Sequence, residues 1–235
     1  MELLIIIILI LIQSIFGVGL LLFGTPTFLY LNYSLYETLF LLLPISLSIS
    51  LIQFFNSKLQ DKSFIKKFNI YNLPLLLISQ IIILFFQNTI NLKIYISFAL
   101  ILLSVLSLNH KKFHKIKFNN TYQNISLSLI GIIHGLTNLG GGFLIIHANK
   151  LTNNKIKTRY YISYAYLAMV SLQLIILFTL YGNEYEYNNL YYLFLALIIY
   201  YPAQILFKKI DQNYFAFIIK IIAVVYGSFI FFNSI

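Results

Sequence analysis

Cysteine and tryptophan are absent, arginine occurs once, and only 9% of the 235 residues are charged. The missing cysteines remove disulfides, thiol nucleophiles and thiolate metal sites, and say nothing firm about compartment. Acidic residues are scarce too: Glu2, Glu37, Asp61, Glu184, Glu186 and Asp211 are the whole set, and each falls at the end of an apolar stretch or in a loop. A buried enzyme needs a nucleophile–base pair, a carboxylate pair or a metal cluster, and none stands at usable spacing. His110 and His114 are four apart in HKKFHK, but without an acidic or sulfur partner they are not a metal site. Neither a metal nor another cofactor is expected.

What is present is apolar. Hydrophobic residues make up 60% of the chain and the mean hydropathy is +0.86, far outside the range of a soluble domain. A membrane-crossing helix needs about 20 apolar residues. Windows near 3–24, 35–56, 71–90, 92–108, 125–148, 160–181, 190–207 and 214–232 approach that length, giving seven or eight segments and no room for a soluble domain. The first window follows only Met1-Glu2, with no basic n-region and no small-x-small cleavage site, so it is expected to stay in the mature protein. The bias toward Ile, Asn, Lys, Phe and Tyr reads as skewed base composition. The net charge of +10 is therefore weak support for a binding patch, and no nucleic-acid partner is expected.

Lysine and arginine mark cytoplasmic loops. They cluster at Lys58–Lys67, Lys111–Lys117, Lys150–Arg159 and Lys208–Lys209, whereas loop 25–36 has none and loop 181–189 carries Glu184 and Glu186. Eight plain crossings would split these clusters between the two sides. If window 125–148 dips in and returns, loops 56–70, 109–124, 149–160 and 207–213 all become cytoplasmic.

That window contains Gly131–Ile146, GIIHGLTNLGGGFLII. Each glycine costs about 1 kcal/mol of helix stability relative to alanine. Such a break in bare backbone inside a bilayer is tolerated only where it lines a polar cavity. The run therefore marks a break and a candidate binding site. A similar run, Gly19 to Leu29 with Gly24-Thr25-Pro26, aligns with Gly135 to Ile145 at an offset of 116. This predicts two repeats, 1–118 and 119–235, in an all-α integral membrane protein. Each repeat has a broken or re-entrant helix plus three transmembrane helices, and an odd number of crossings inverts the second copy. Ordinary kinked spans are the plainer alternative.

The freed N–H groups and the dipole at the start of a broken helix's second limb favour an anion. Gly140, Gly141 and Gly142 allow close approach, Thr137 and Asn138 add donors, and Thr25 and Pro26 take the matching place in the first half. Glycines that merely permit tight helix packing are the competing reading. Ser46, Ser50 and Gln53 recur at i, i+4 and i+7 along one helix stripe, with Tyr166 and Gln173 in the matching phase of the second half. Such a stripe faces either the substrate or a neighbouring helix. His134, one turn before the break, either carries a proton with the substrate or packs neutral. Arg159 heads a span, where it either meets the anion at the cytoplasmic mouth or only fixes orientation, and Lys220 snorkels toward an interface.

The motif Gly135-Leu-Thr137-Asn138-Leu-Gly140-Gly141-Gly142-Phe143, with Gly17-Val-Gly19, Gly24-Thr25-Pro26 and Leu43-Pro44-Ile-Ser46-Leu-Ser-Ile-Ser50, resembles the TauE/SafE sulfite exporter family over essentially the whole chain. Gly-Thr-Pro departs from the first-half glycine triplet of the commoner pattern, and His147 stands near where a proline often follows the second. The resemblance implies a permease of the bacterial cytoplasmic membrane for sulfite, a sulfonate or a related small anion. It would work by alternating access between two broken helices, with the lipid bilayer as surroundings and homo-oligomerisation open. A membrane-embedded non-transport protein, either an assembly or sensor subunit or a membrane enzyme, is the alternative.

Overall fold

A computed structural model describes residues 1–108, 119–152, 154–185 and 187–210, all in helices and the turns between them. His110, His114, Lys220 and window 214–232 lie outside the described residues. The ten helices among these residues are α1 (Glu2–Phe16), α2 (Leu20–Tyr30), α3 (Leu35–Ser57), α4 (Lys62–Tyr71), α5 (Leu73–Phe86), α6 (Leu92–Leu108), α7 (Asn120–Thr137), α8 (Gly140–Leu151), α9 (Lys155–Tyr181) and α10 (Tyr191–Lys209). Four stretches are long and apolar enough to cross a membrane: α3, α4 with α5, α9 with the turn after it, and α10.

Windows 3–24 and 125–148 are each broken into two helices. Window 3–24 ends its first limb at Gly17, which takes the left-handed conformation (φ 78°) and returns its N–H to Gln13 O at 2.8 Å. Gly19, at φ 134°, starts the second limb. Window 125–148 stops at Asn138, also left-handed (φ 62°), whose N–H meets His134 O at 2.7 Å. Asparagine tolerates this region because its short polar side chain bonds locally. In both cases the limbs run antiparallel. Gly24 packs on Leu9 while Tyr33 donates to Glu2 at the open end, and His147 sits 3.0 Å from Ser126 at the other hairpin's open end.

The two hairpins open toward opposite ends of the molecule. Glu2 is bonded by Tyr33 and Tyr192, Gln87 donates to Tyr181, and Lys93 donates to Asn32, so the starts of α1, α3, α6 and α10 share one end. At the other end Lys67 donates to Asn120 and Gln123, Asp61 meets Tyr160 and Tyr161, and Lys155 reaches the last carbonyls of α10. The first, third and fourth basic clusters thus gather at one end, as charge patterning requires, while Glu2, Glu37 and Glu184 occupy the opposite end.

The long α3 and α9 form the central pair, with α1 on α10 and α5 along α7. Helices approach closely where side chains vanish: a Cβ on Gly131 would strike Asn72 O, and one on Gly135 would strike Ser79. Small residues at such spacing let membrane helices pack by van der Waals contact where no hydrophobic force drives them together. Asn72 Nδ2 adds a 2.9 Å bond to Leu127 O across the same seam.

Candidate functional site

The second break assembles a directed string of hydrogen bonds. Gly140 N–H, an orphan donor at the start of α8, donates to His134 Nδ1 at 3.2 Å. That assignment leaves the proton on Nε2, which lies 3.2 Å from Gln173 Oε1 and donates to it. Gln173 Nε2 then donates to Asn138 Oδ1 (3.3 Å), and Asn138 Nδ2 to Thr25 Oγ1 (2.8 Å). The string joins α2 in the first half to α7, α8 and α9 in the second. All four side chains are at most 2% exposed. Thr137 supports the turn: its hydroxyl donates to Ile133 O and accepts from Leu139 N–H.

The three glycines are covered by protein. A Cβ on Gly140 would press on His134, one on Gly141 on the Tyr166 hydroxyl, and one on Gly142 on Leu103. Tyr166 is fully buried, yet its oxygen has no hydrogen-bond partner. A phenol buried without a partner costs about 1–3 kcal/mol. Here it is aimed at the first turn of a helix, where N–H groups and the dipole favour negative charge.

Ser46, Ser50 and Gln53 do form one stripe, and it faces the first hairpin. Gln13 Nε2 donates to Ser46 Oγ (2.9 Å), Ser46 O (3.2 Å) and Ser50 Oγ (3.3 Å). Gln53 Nε2 donates to Gln13 O and Ser14 O in the last turn of α1, and Gln204 Nε2 also reaches Ser14 O. Gln13 O already accepts from Gly17 N–H, so the orphan acceptor that these amides satisfy is Ser14 O. Among the expected residues, Ser46, Ser50 and Gln53 thus join a hydrogen-bonded group at the first break, and Thr25, His134, Asn138, Gly140 and Gln173 join one at the second.

One expectation is corrected. Gly24, Thr25 and Pro26 do not lie at the first break, which is Gly17–Gly19; they sit inside α2, and Pro26 is well past its first turn. Gly24 serves packing, since a Cβ would meet Leu42 and Leu9. Thr25 nevertheless reaches the second break through Asn138. Sequence reasoning missed Gln13 and Gln80, whose Nε2 approaches Gln173 O at 3.4 Å. Each is a solitary amide in an apolar helix, and that isolation was the available signal.

The family model for the sulfite exporter TauE/SafE matches residues 3–230. The chain belongs to the TauE/SafE sulfite exporter family. No curated protein and no solved structure matches it. TauE/SafE membership makes this an integral membrane transport protein, consistent with its apolar helices.

Proposed function

We propose that the chain carries a small sulfur-containing anion, sulfite or a sulfonate, by alternating access at the second break. The observation that carries the reading is the buried string Gly140–His134–Gln173–Asn138–Thr25, which spans both halves and ends beside the unpartnered Tyr166 hydroxyl. In the conformation described, these groups satisfy one another. Parting the hairpins frees donors at Asn138, Thr25, Tyr166 and the α8 amides, and the oxygens of an anion replace the lost bonds. The first hairpin, held by Ser46, Ser50 and Gln53, is the counterpart about which the halves 1–118 and 119–235 rock. Hairpins that open toward opposite ends support an inverted arrangement of the two halves.

The end rich in lysine is cytoplasmic, in a bacterial inner membrane. No acidic residue lies mid-span, so coupling falls to His134 or is absent. An inside-negative potential then favours export of a bare monoanion by about 2.3 kcal/mol per 100 mV. Sulfite efflux from proteoliposomes tests the reading. Asn138→Ala and Gln173→Ala should each slow efflux about tenfold or more. Wild-type rates in a folded Asn138→Ala protein would overturn the site. Efflux that ignores an imposed potential would show that a proton moves with the anion.

A further inference from the structure

A second polar centre lies at the basic end, away from the string. A cavity of about 400 Å³ opens between α3, α9 and α10, with Arg159, Gln53, Asn56, Tyr200, Gln204 and Lys208 in its lining. Among the described residues, the lining holds no aspartate or glutamate. Arg159 is only 8% exposed, and the partners described for it are neutral: Nη2 donates to Tyr200 Oη (3.0 Å) and Gln204 Oε1 (2.6 Å), and the guanidinium carbon lies 4.2 Å from the Phe207 ring centroid. A largely buried cation without a carboxylate is expensive to keep. A guanidinium has five N–H donors in a fork that matches oxyanion geometry. The tip of the first hairpin adjoins two of the lining residues, because a Cβ at Gly17 would meet Arg159 and Gln53 as well as Ile162.

From this we infer a second anion site: the Arg159 cavity binds a tetrahedral oxyanion of the sulfate or phosphate type, either free in solution or as a phospholipid headgroup. The inference stands apart from the transport reading. A bound anion would neutralise Arg159 directly under the first hairpin and brace α10 against α9.

The test is the thermal stability of the purified protein titrated with sodium sulfate, sodium phosphate or dihexanoylphosphatidylglycerol, each against sodium chloride at matched ionic strength. A ligand that binds the folded state raises the melting temperature saturably. A saturable rise with sulfate or phosphate identifies the free ion as ligand. A rise with the phosphatidylglycerol alone identifies the headgroup. Arg159→Gln should abolish the rise. Because that variant removes two buried hydrogen bonds, Asn56→Asp supplies an independent reading: Asn56 is exposed in the same cavity, and a carboxylate there should weaken apparent affinity about tenfold or more. Asn138→Ala, which disables the string, should leave the rise intact. The inference is overturned if no oxyanion outperforms chloride or if Asn56→Asp responds like wild type. It is likewise overturned if Asn138→Ala alone loses the response, an outcome that would assign the binding to the string and leave the transport reading standing.

Discussion

The two hairpins make the same reversal with different chemistry. In α1–α2 the turn is made by Gly17 and Gly19, which contribute backbone freedom and nothing else, while amides from α3 and α10 satisfy the carbonyls at the end of α1. In α7–α8 the turn is made by Asn138, whose side chain occupies both its donor and its acceptor in the string. One hinge is conformational. The other is conformational and chemical at once, and the helix end its string serves is an N-terminus, which suits an anion, whereas the amides of the first hinge serve a C-terminus.

The largest expected effect tests the second hinge. Gly141→Ala places a methyl on the Tyr166 hydroxyl, an overpacking that should cost about 1–3 kcal/mol and abolish flux. Adding Tyr166→Phe should recover part of the melting temperature, the ring carbons still crowding the methyl, without recovering flux; recovery of both would mean that the phenol never meets the anion. Next comes an exchange of hinge residues. Asn138→Gly keeps the left-handed turn but leaves Thr25 and Gln173 short of a partner, so transport should fall while stability drops by about 1–3 kcal/mol. The converse, Gly17→Asn, should retain flux at a cost of about 1 kcal/mol, and equal losses of flux in the two variants would erase the contrast between the hinges. Gln53→Ala should lower stability by about 1 kcal/mol, because Gln204 still serves Ser14 O.

The smallest effect lies outside both hinges and calibrates them. Asp61 caps α4, accepting from Phe64 N–H at 3.0 Å and from the Tyr161 hydroxyl at 2.7 Å. Burial pushes its carboxyl up, but the Phe64 and Ser63 amides, Tyr161 and the Lys157 charge outweigh that and hold it below the ordinary value of 3.8. A depressed folded value stabilises the protein at pH above the ordinary value. That stability is lost as pH falls through the folded value. Melting temperature of wild type against Asp61→Asn should therefore differ at neutral pH and converge in acid; a constant difference would count against the ionised cap.

Much of this was legible before any coordinates. Hydrophobic length located the helices, lysine placement separated the two ends, and the glycine run located the second break to within two residues. The first break was misplaced because a glycine that opens space and a glycine that turns the chain look identical in sequence. Gly24 is the former and Gly17 the latter. Alignment on Gly24-Thr25-Pro26 gave an offset of 116, whereas the second limbs begin at Leu20 and Gly140, the register in which Ser46 and Gln53 already matched Tyr166 and Gln173. Gln13 and Gln80 escaped because a lone amide has no periodicity, and isolation in an apolar helix was its one signal.

Glu2 has two carboxylate oxygens, and each is held by a different phenol, Tyr33 from the corner before α3 and Tyr192 from the start of α10. The carboxylate is thus a shared clasp: one oxygen ties α1 to the corner after its own hairpin and the other ties it to α10, so loss of the Tyr192 hydroxyl alone would leave the hairpin's own tether in place.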